Sequence, residues 1–203
     1  MRRTVAPTTP VPAPTVTRAE RERLNRHPGM VVWLTGLSGS GKSTLANAMA
    51  CALHAKAMRT YVLDGDVMRQ GLNNDLGFSD ADRAENIRRV AEVAKLMADA
   101  GLVVITAFIS PFKRERELAR RLIGVENFVE VYLSTSLAVC EQRDVKGLYK
   151  QARAGKITNM TGIGSAYEAP ERADVEIDTA EMSVADAVSQ LVNLLERNAR
   201  AMV

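Results

Sequence analysis

Gly36-Leu37-Ser38-Gly39-Ser40-Gly41-Lys42-Ser43 is the stretch from which the rest of this 203-residue chain is read. It fits G-x-x-x-x-G-K-[ST] and sits between an apolar run at 30–35 and a helix-forming segment that reaches about residue 57. Strand, glycine turn and helix in that order are the context its chemistry needs. Glycines let the backbone wrap closely around phosphate oxygens, and the N–H groups at the helix start supply partial positive charge. Lys42 adds a full charge, and the Ser43 hydroxyl is placed to bind magnesium. All eight residues, 36–43, are therefore expected to hold the phosphates of a nucleotide.

Outward from this loop the chain alternates strand-like and helix-like segments, which predicts an α/β fold with a parallel sheet covered by helices on both faces. Residues 60–63 form the second predicted strand and end on Asp64-Gly65-Asp66. Ser79-Asp80-Ala81-Asp82 has capping-box spacing. The helix it opens keeps Ile87, Val90, Ala91, Ala94 and Met97 on one face and should stop near Gly101. Residues 102–108 are apolar on both faces, as expected of a strand inside a parallel sheet. A polar helix at about 112–122, a strand at 128–133, a short strand at 174–178 and an amphipathic helix at 185–195 complete the pattern. Residues 143–172 are polar, basic and without periodicity, the character of a lid or binding segment. No internal repeat is visible.

The remaining features bound the class of protein. Residues 1–16 carry prolines at 7, 10, 12 and 14 and read as a disordered Pro/Thr-rich extension, leaving 17–203 as a single domain that starts with a short charged helix at 17–27. The longest apolar run, 102–109, is too short to span a bilayer, and the N-terminus lacks the apolar stretch of a secretory signal, so a cytoplasmic protein is expected. The formal net charge is +3, but residues 1–28 hold six Lys or Arg against two Asp or Glu, which leaves 21 against 22 for the rest. A body so balanced lacks the broad positive face of a nucleic-acid binder. Cys51 and Cys140, 89 positions apart without metal-ligand spacing, read as two reduced, mostly buried thiols.

The loop alone does not choose the phosphoryl acceptor. Motor ATPases and GTPases need an acidic magnesium ligand at the end of another strand and a residue that orients water. The run 102–108 offers no such acid. The carboxylates are Asp64 and Asp66, and in a parallel sheet the C-terminal end of their strand opens on the same crevice as the phosphate loop. Asp66 is then positioned to orient or deprotonate an attacking hydroxyl, and Asp64 to hold magnesium through water. The same tripeptide would also serve as a turn with a helix cap.

The motifs downstream narrow the acceptor. Leu63-Asp-Gly-Asp66, Arg69, Gly71-Leu-Asn-Asn-Asp-Leu-Gly-Phe-Ser79 and Asp82-Arg-Ala-Glu-Asn-Ile-Arg-Arg89 resemble the adenylyl-sulfate kinase family. So do Ile109-Ser110-Pro111, Arg143-Asp-Val-Lys-Gly-Leu-Tyr-Lys150, Thr161-Gly-Ile163 and Tyr167-Glu168, over essentially 17–195. The resemblance implies a three-layer P-loop kinase fold with a five-stranded parallel sheet and a lid. It further implies transfer of the ATP γ-phosphoryl group to the 3′-hydroxyl of adenosine 5′-phosphosulfate in sulfate assimilation, with Mg2+ and usually as a homodimer.

By the same resemblance, Asp64, Asp66, Arg69, Phe78, Arg83, Asn86, Ile109, Ser110, Lys146 and Met160 would line the acceptor site, with Phe78 stacked on its adenine and Lys146 steadying phosphate charge. Arg143 would stack on the ATP adenine, and Ser110 matches a serine described as a phosphoserine intermediate. Pro111 should hold Ser110 extended, which suits hydrogen bonding to substrate and favours direct transfer over a covalent route. Read without the resemblance, Arg83 and Asn86 are a solvated helix face and Phe78 a hydrophobic anchor beneath a loop. Two positions depart from the family pattern: Met160 stands for a second phenylalanine and Gly164 for an aspartate. The rivals are a kinase for another small acceptor and a weakly active product-binding partner of ATP sulfurylase.

Overall fold

The computed structural model describes residues 15–201, so the expected N-terminal extension lies, up to residue 14, outside the described residues. The elements run α1 (Arg18–Asn25), β1 (Met30–Gly36), α2 (Lys42–Ala55), β2 (Thr60–Asp64), α3 (Gly65–Gln70), α4 (Asp80–Asp99), β3 (Val103–Ala107), α5 (Lys113–Ile123), β4 (Phe128–Leu133), α6 (Leu137–Arg143), α7 (Leu148–Arg153), β5 (Val175–Ile177) and α8 (Val184–Ala201). All strands are parallel, in the order β2-β3-β1-β4-β5. The phosphate loop therefore leaves the central strand, and every strand ends on the same edge.

Helices cover both faces and divide the core in two. On one side α2 and α8 bury Leu45, Met49, Leu53, Leu191 and Leu195 against Val32, Leu34, Ile105 and Val131. On the other, α4 and α5 bury Ile87, Val90, Ala91, Ala94 and Ala119 against Val31, Trp33, Val104 and Phe128. Alternate residues of β1 thus point to opposite layers, and all seven are buried, which explains why this strand reads as a continuous apolar run. The Ser79 hydroxyl caps α4 by accepting from the Asp82 N–H at 3.2 Å, as the sequence predicts.

A buried polar network ties the sheet to the end of the 143–172 segment. Arg116 on α5 donates to Glu130 Oε1 at 2.9 Å, to the Ser110 carbonyl at 2.8 Å and to the Glu168 carbonyl at 2.7 Å. Those bonds bear on Ser110, whose φ is +40° rather than extended. Its carbonyl is gripped by Arg116, and the preference imposed by Pro111 yields to that tertiary contact.

Two further expectations are corrected. Residues 143–172 are not wholly irregular: α6 ends at Arg143 and α7 lies inside the segment, because Cys140, Tyr149, Ala152 and Met160 form a small core of their own. Cys51 is exposed, and only Cys140 is the buried thiol expected of both; neither is in a disulfide. Position 51 falls off the buried stripe of Leu45, Ala46, Met49 and Leu53 on α2.

Candidate active site

The phosphate loop is folded around its own lysine. Gly41 caps α2 with φ +92°, a conformation few residues other than glycine adopt, and a Cβ at Gly36 would come within 2.7 Å of the Leu133 carbonyl. Lys42 Nζ donates to the Gly36 carbonyl at 2.8 Å, the Leu37 carbonyl at 2.5 Å and Ser40 Oγ at 3.3 Å. Burial pushes its pKa down to about 8, and Lys146 pushes the same way, while Cys140, Asp64 and Asp66 pull upward.

A triphosphate holds this ammonium in its charged form, so above about pH 8 binding must take up a proton. ATP affinity is therefore expected to fall as pH rises through about 8, by up to roughly tenfold per pH unit. Calorimetric titrations from about pH 7 to about pH 9.5 measure this. An affinity that stays level over the interval would show Lys42 charged throughout.

Beside the loop, Ser43 Oγ donates to Asp64 Oδ2 at 2.6 Å, and Asp64 Oδ1 accepts the Asp66 N–H at 2.9 Å, capping α3. The Asp-Gly-Asp turn is thus a helix cap, as its bland reading holds, and also stands at the loop mouth. Ser43 and Asp64 are hard oxygen donors that suit Mg2+. Among the described residues no group of three His, Cys, Asp or Glu could hold a metal ion, so phosphate oxygens and water would have to complete its shell. Asp66 is exposed and forms an ion pair with Lys146 Nζ.

Across the cavity, α4 presents Arg83 and Asn86, which are 9% and 4% exposed and so do not form a solvated face. Arg83 donates to the Phe78 carbonyl at 3.1 Å, to Thr161 Oγ1 at 2.9 Å and to the Asn159 carbonyl at 2.6 Å. It thereby fastens α4 to the segment that carries Asn159 and Thr161. Phe78 is 61% exposed, which rules out the anchor reading, and the Arg69 guanidinium lies 4.3 Å from its ring centroid. Ile109 accepts the Thr35 hydroxyl at 2.8 Å through its carbonyl. Ser110 Oγ, 2% exposed, accepts the Trp33 indole N–H at 3.1 Å.

The lid supplies the roof. Arg143 is fixed beside the loop by bonds to Thr179 Oγ1 at 2.8 Å, the Thr179 carbonyl at 2.9 Å and the Gly39 carbonyl at 3.2 Å. Met160 is buried in the lid core and lines the cavity. A Cβ at Gly164 would lie 2.0 Å from the Thr158 carbonyl, so this lid turn, as folded, has no room for the family's aspartate.

Tyr149 and Thr179 add two contacts to the loop that the sequence motifs do not assign. Tyr149 donates to the Ser38 carbonyl at 2.9 Å, and Thr179 Oγ1 donates to the Ser40 carbonyl at 3.0 Å. Thr179 follows the end of β5, where a rule of strand ends would find it. Tyr149 carries no such signal.

The predicted site residues other than Gly36, Leu37 and Ser40 line one cavity of about 960 Å³, together with Tyr149 and Thr179. Lys42, Arg69, Arg83, Arg143, Lys146 and Lys156 face Asp64, Asp66 and Asp144 there, an excess of positive charge inside a nearly neutral body. Such a cavity suits a ligand with several negative charges.

Comparison with known proteins agrees. Residues 28–178 match the family model described as adenylylsulphate kinase. The Mycobacterium tuberculosis APS kinase CysC, solved in complex with AMPPNP and APS, is 47% identical, with a TM-score of 0.81 over 84% of this chain and 99% of that one. The hexameric APS kinase from Thiobacillus denitrificans is 31% identical, with a TM-score of 0.65 over 89% of this chain and 32% of that one. A gluconokinase from Sinorhizobium meliloti 1021, 20% identical with a TM-score of 0.56 over 87% of this chain and 96% of that one, shares the fold.

Proposed function

Since this chain belongs to the adenylylsulphate kinase family and is an ATP-using kinase, we propose that it moves the ATP γ-phosphoryl group to the 3′-hydroxyl of adenosine 5′-phosphosulfate by direct transfer. The products are ADP and 3′-phosphoadenosine 5′-phosphosulfate. The observation that carries this reading is that the phosphate loop, Asp66 and the Phe78–Arg83–Asn86 face line the same cavity. Both nucleotides then fit on opposite sides of one carboxylate.

The roles follow from the chemistry. Residues 36–43 grip the triphosphate, with Lys42 stabilising charge that develops on the transferred group. Mg2+, when bound with ATP near Ser43 and Asp64, neutralises phosphate charge. Asp66 takes up the proton of the 3′-hydroxyl or orients it, after exchanging its ion pair with Lys146 for the substrate. Lys146 is thereby released toward phosphate oxygens. Arg69, Arg83 and Asn86 hold the phosphosulfate and ribose, Phe78 stacks on the acceptor adenine, and Arg143 on that of ATP. The lid excludes water that would otherwise accept the phosphoryl group.

Direct transfer is favoured over a phosphoserine at Ser110. Its hydroxyl is buried against an indole, and among the described residues no carboxylate, imidazole or ammonium group is hydrogen-bonded to it. Ser110 and Ile109 act instead as the fixed wall of the acceptor pocket. The same reading takes a homodimer as the assembly and sulfate assimilation in the cytoplasm as the setting.

ADP release from Mg-ATP is the assay, with adenosine 5′-phosphosulfate, AMP, a sugar and no acceptor compared side by side. The phosphosulfate is expected to stimulate release far above the others. Equal rates with all acceptors, or none with the phosphosulfate, would reject the proposal.

A further inference from the structure

Asn73 lies in the turn between α3 and α4 and is fully buried, away from the cavity that Asn86 lines. The turn is pinned at this residue: the Asn73 N–H donates to the Met68 carbonyl at 2.9 Å, and its carbonyl accepts from the Leu76 N–H at 3.2 Å. The Asn73 side chain donates through Nδ2 to Asn86 Oδ1 at 3.0 Å, while its own Oδ1 is buried with no hydrogen-bond partner. A buried polar atom left unpaired costs free energy, so this amide is held for a reason other than its own satisfaction.

The bond decides which end of the Asn86 amide faces the ligand. With Oδ1 occupied by Asn73, Asn86 has its Nδ2 donors left for the cavity. The opposite arrangement would strand both N–H donors of Asn73 in the interior and set the Asn86 oxygen, an acceptor, against the acceptor oxygens of an anionic ligand. One hydrogen bond therefore sets the polarity of the acceptor wall.

We propose that Asn73 is a positioning residue for the acceptor: it orients the Asn86 amide with its donors outward, so that the pocket favours an acceptor rich in phosphate, sulfate or ribose oxygens. The inference rests on the reading above that the α4 side of the cavity takes the adenylyl sulfate. It concerns binding of that substrate and leaves ATP untouched, which makes it separable from a structural defect.

The test is a double-mutant cycle on the full chain, with Asn73→Leu, Asn86→Ala and both together. Leucine keeps the shape of the side chain and removes the unpaired oxygen along with the donor; Asn73→Ala serves if leucine does not fold. The KM for adenosine 5′-phosphosulfate is expected to rise about tenfold in either Asn73 variant, the worth of one oriented hydrogen bond. The KM for ATP should stay within about twofold, and adding the Asn73 change to Asn86→Ala should raise the acceptor KM no further. An unchanged acceptor KM, an equal rise in both KM values, or effects that multiply in the double variant would each overturn the assignment. A wild-type chain indifferent to the phosphosulfate would instead overturn the function proposed above, so the two failures are distinct.

Discussion

Asp66→Asn is expected to lower turnover about a thousandfold while leaving the Kd for ATP within about threefold. The carboxylate stands opposite the acceptor face and beyond the grip of the phosphate loop, so its loss removes the proton acceptor without removing a contact to the triphosphate. The change also dissolves the ion pair with Lys146, which is exposed and contributes little to stability. Melting temperature should therefore hardly move. Steady-state ADP release at saturating adenosine 5′-phosphosulfate gives kcat, and calorimetry gives ATP affinity. Turnover within about threefold of wild type would mean that positioning alone drives the transfer and that Asp66 is only the second half of a helix cap.

Lys42→Ala should cost about a thousandfold in kcat/KM, divided between ATP binding and the chemical step. In the free chain this ammonium fills the hollow of the loop, bonded to the Gly36 and Leu37 carbonyls and to Ser40 Oγ. ATP must draw it out of that nest, and the charge then follows the phosphoryl group as it moves. Lys42→Arg is not expected to restore activity, because the residue is only 8% exposed and a planar fork does not fit a slot shaped for a compact ammonium. Recovery by arginine to within about tenfold of wild type would show that any charge near the loop suffices.

The sequence disclosed most where a local pattern had a single physical reading. The run 30–34 is apolar at every position because both faces of β1 are covered, and the loop motif follows from what phosphate requires of a backbone. The predicted strand at 128–133 coincides with β4, and Ser79 of the predicted capping box caps α4, without the reciprocal bond from Asp82 to the Ser79 N–H. What escaped was decided by contacts that no local period reveals. The short helices α6 and α7, of seven and six residues, are too brief to show a period. The second is organised by Asp144, whose carboxylate accepts the N–H groups of Tyr149 at 3.0 Å and Lys150 at 2.9 Å.

Residues of the site divide along the same line. Lys42, Ser43, Asp64 and Asp66 are legible from a strand end and a loop, since the fold brings strand ends together. Arg83 and Asn86 share a helix face by spacing, yet Arg83 is held by Asn159, 76 residues away, and Asn86 by Asn73 in the turn before the helix. The conformation of Ser110 could not be read at all, because Arg116 overrides the local preference.

Trp33 carries a consequence of its own. It is the only tryptophan in the chain, locked between Phe108 and Phe128, with its ring nitrogen tied to a hydroxyl in the cavity wall. Its ultraviolet emission arises from one dry site within a bond of the reaction chamber, and a titration with nucleotide is expected to shift it.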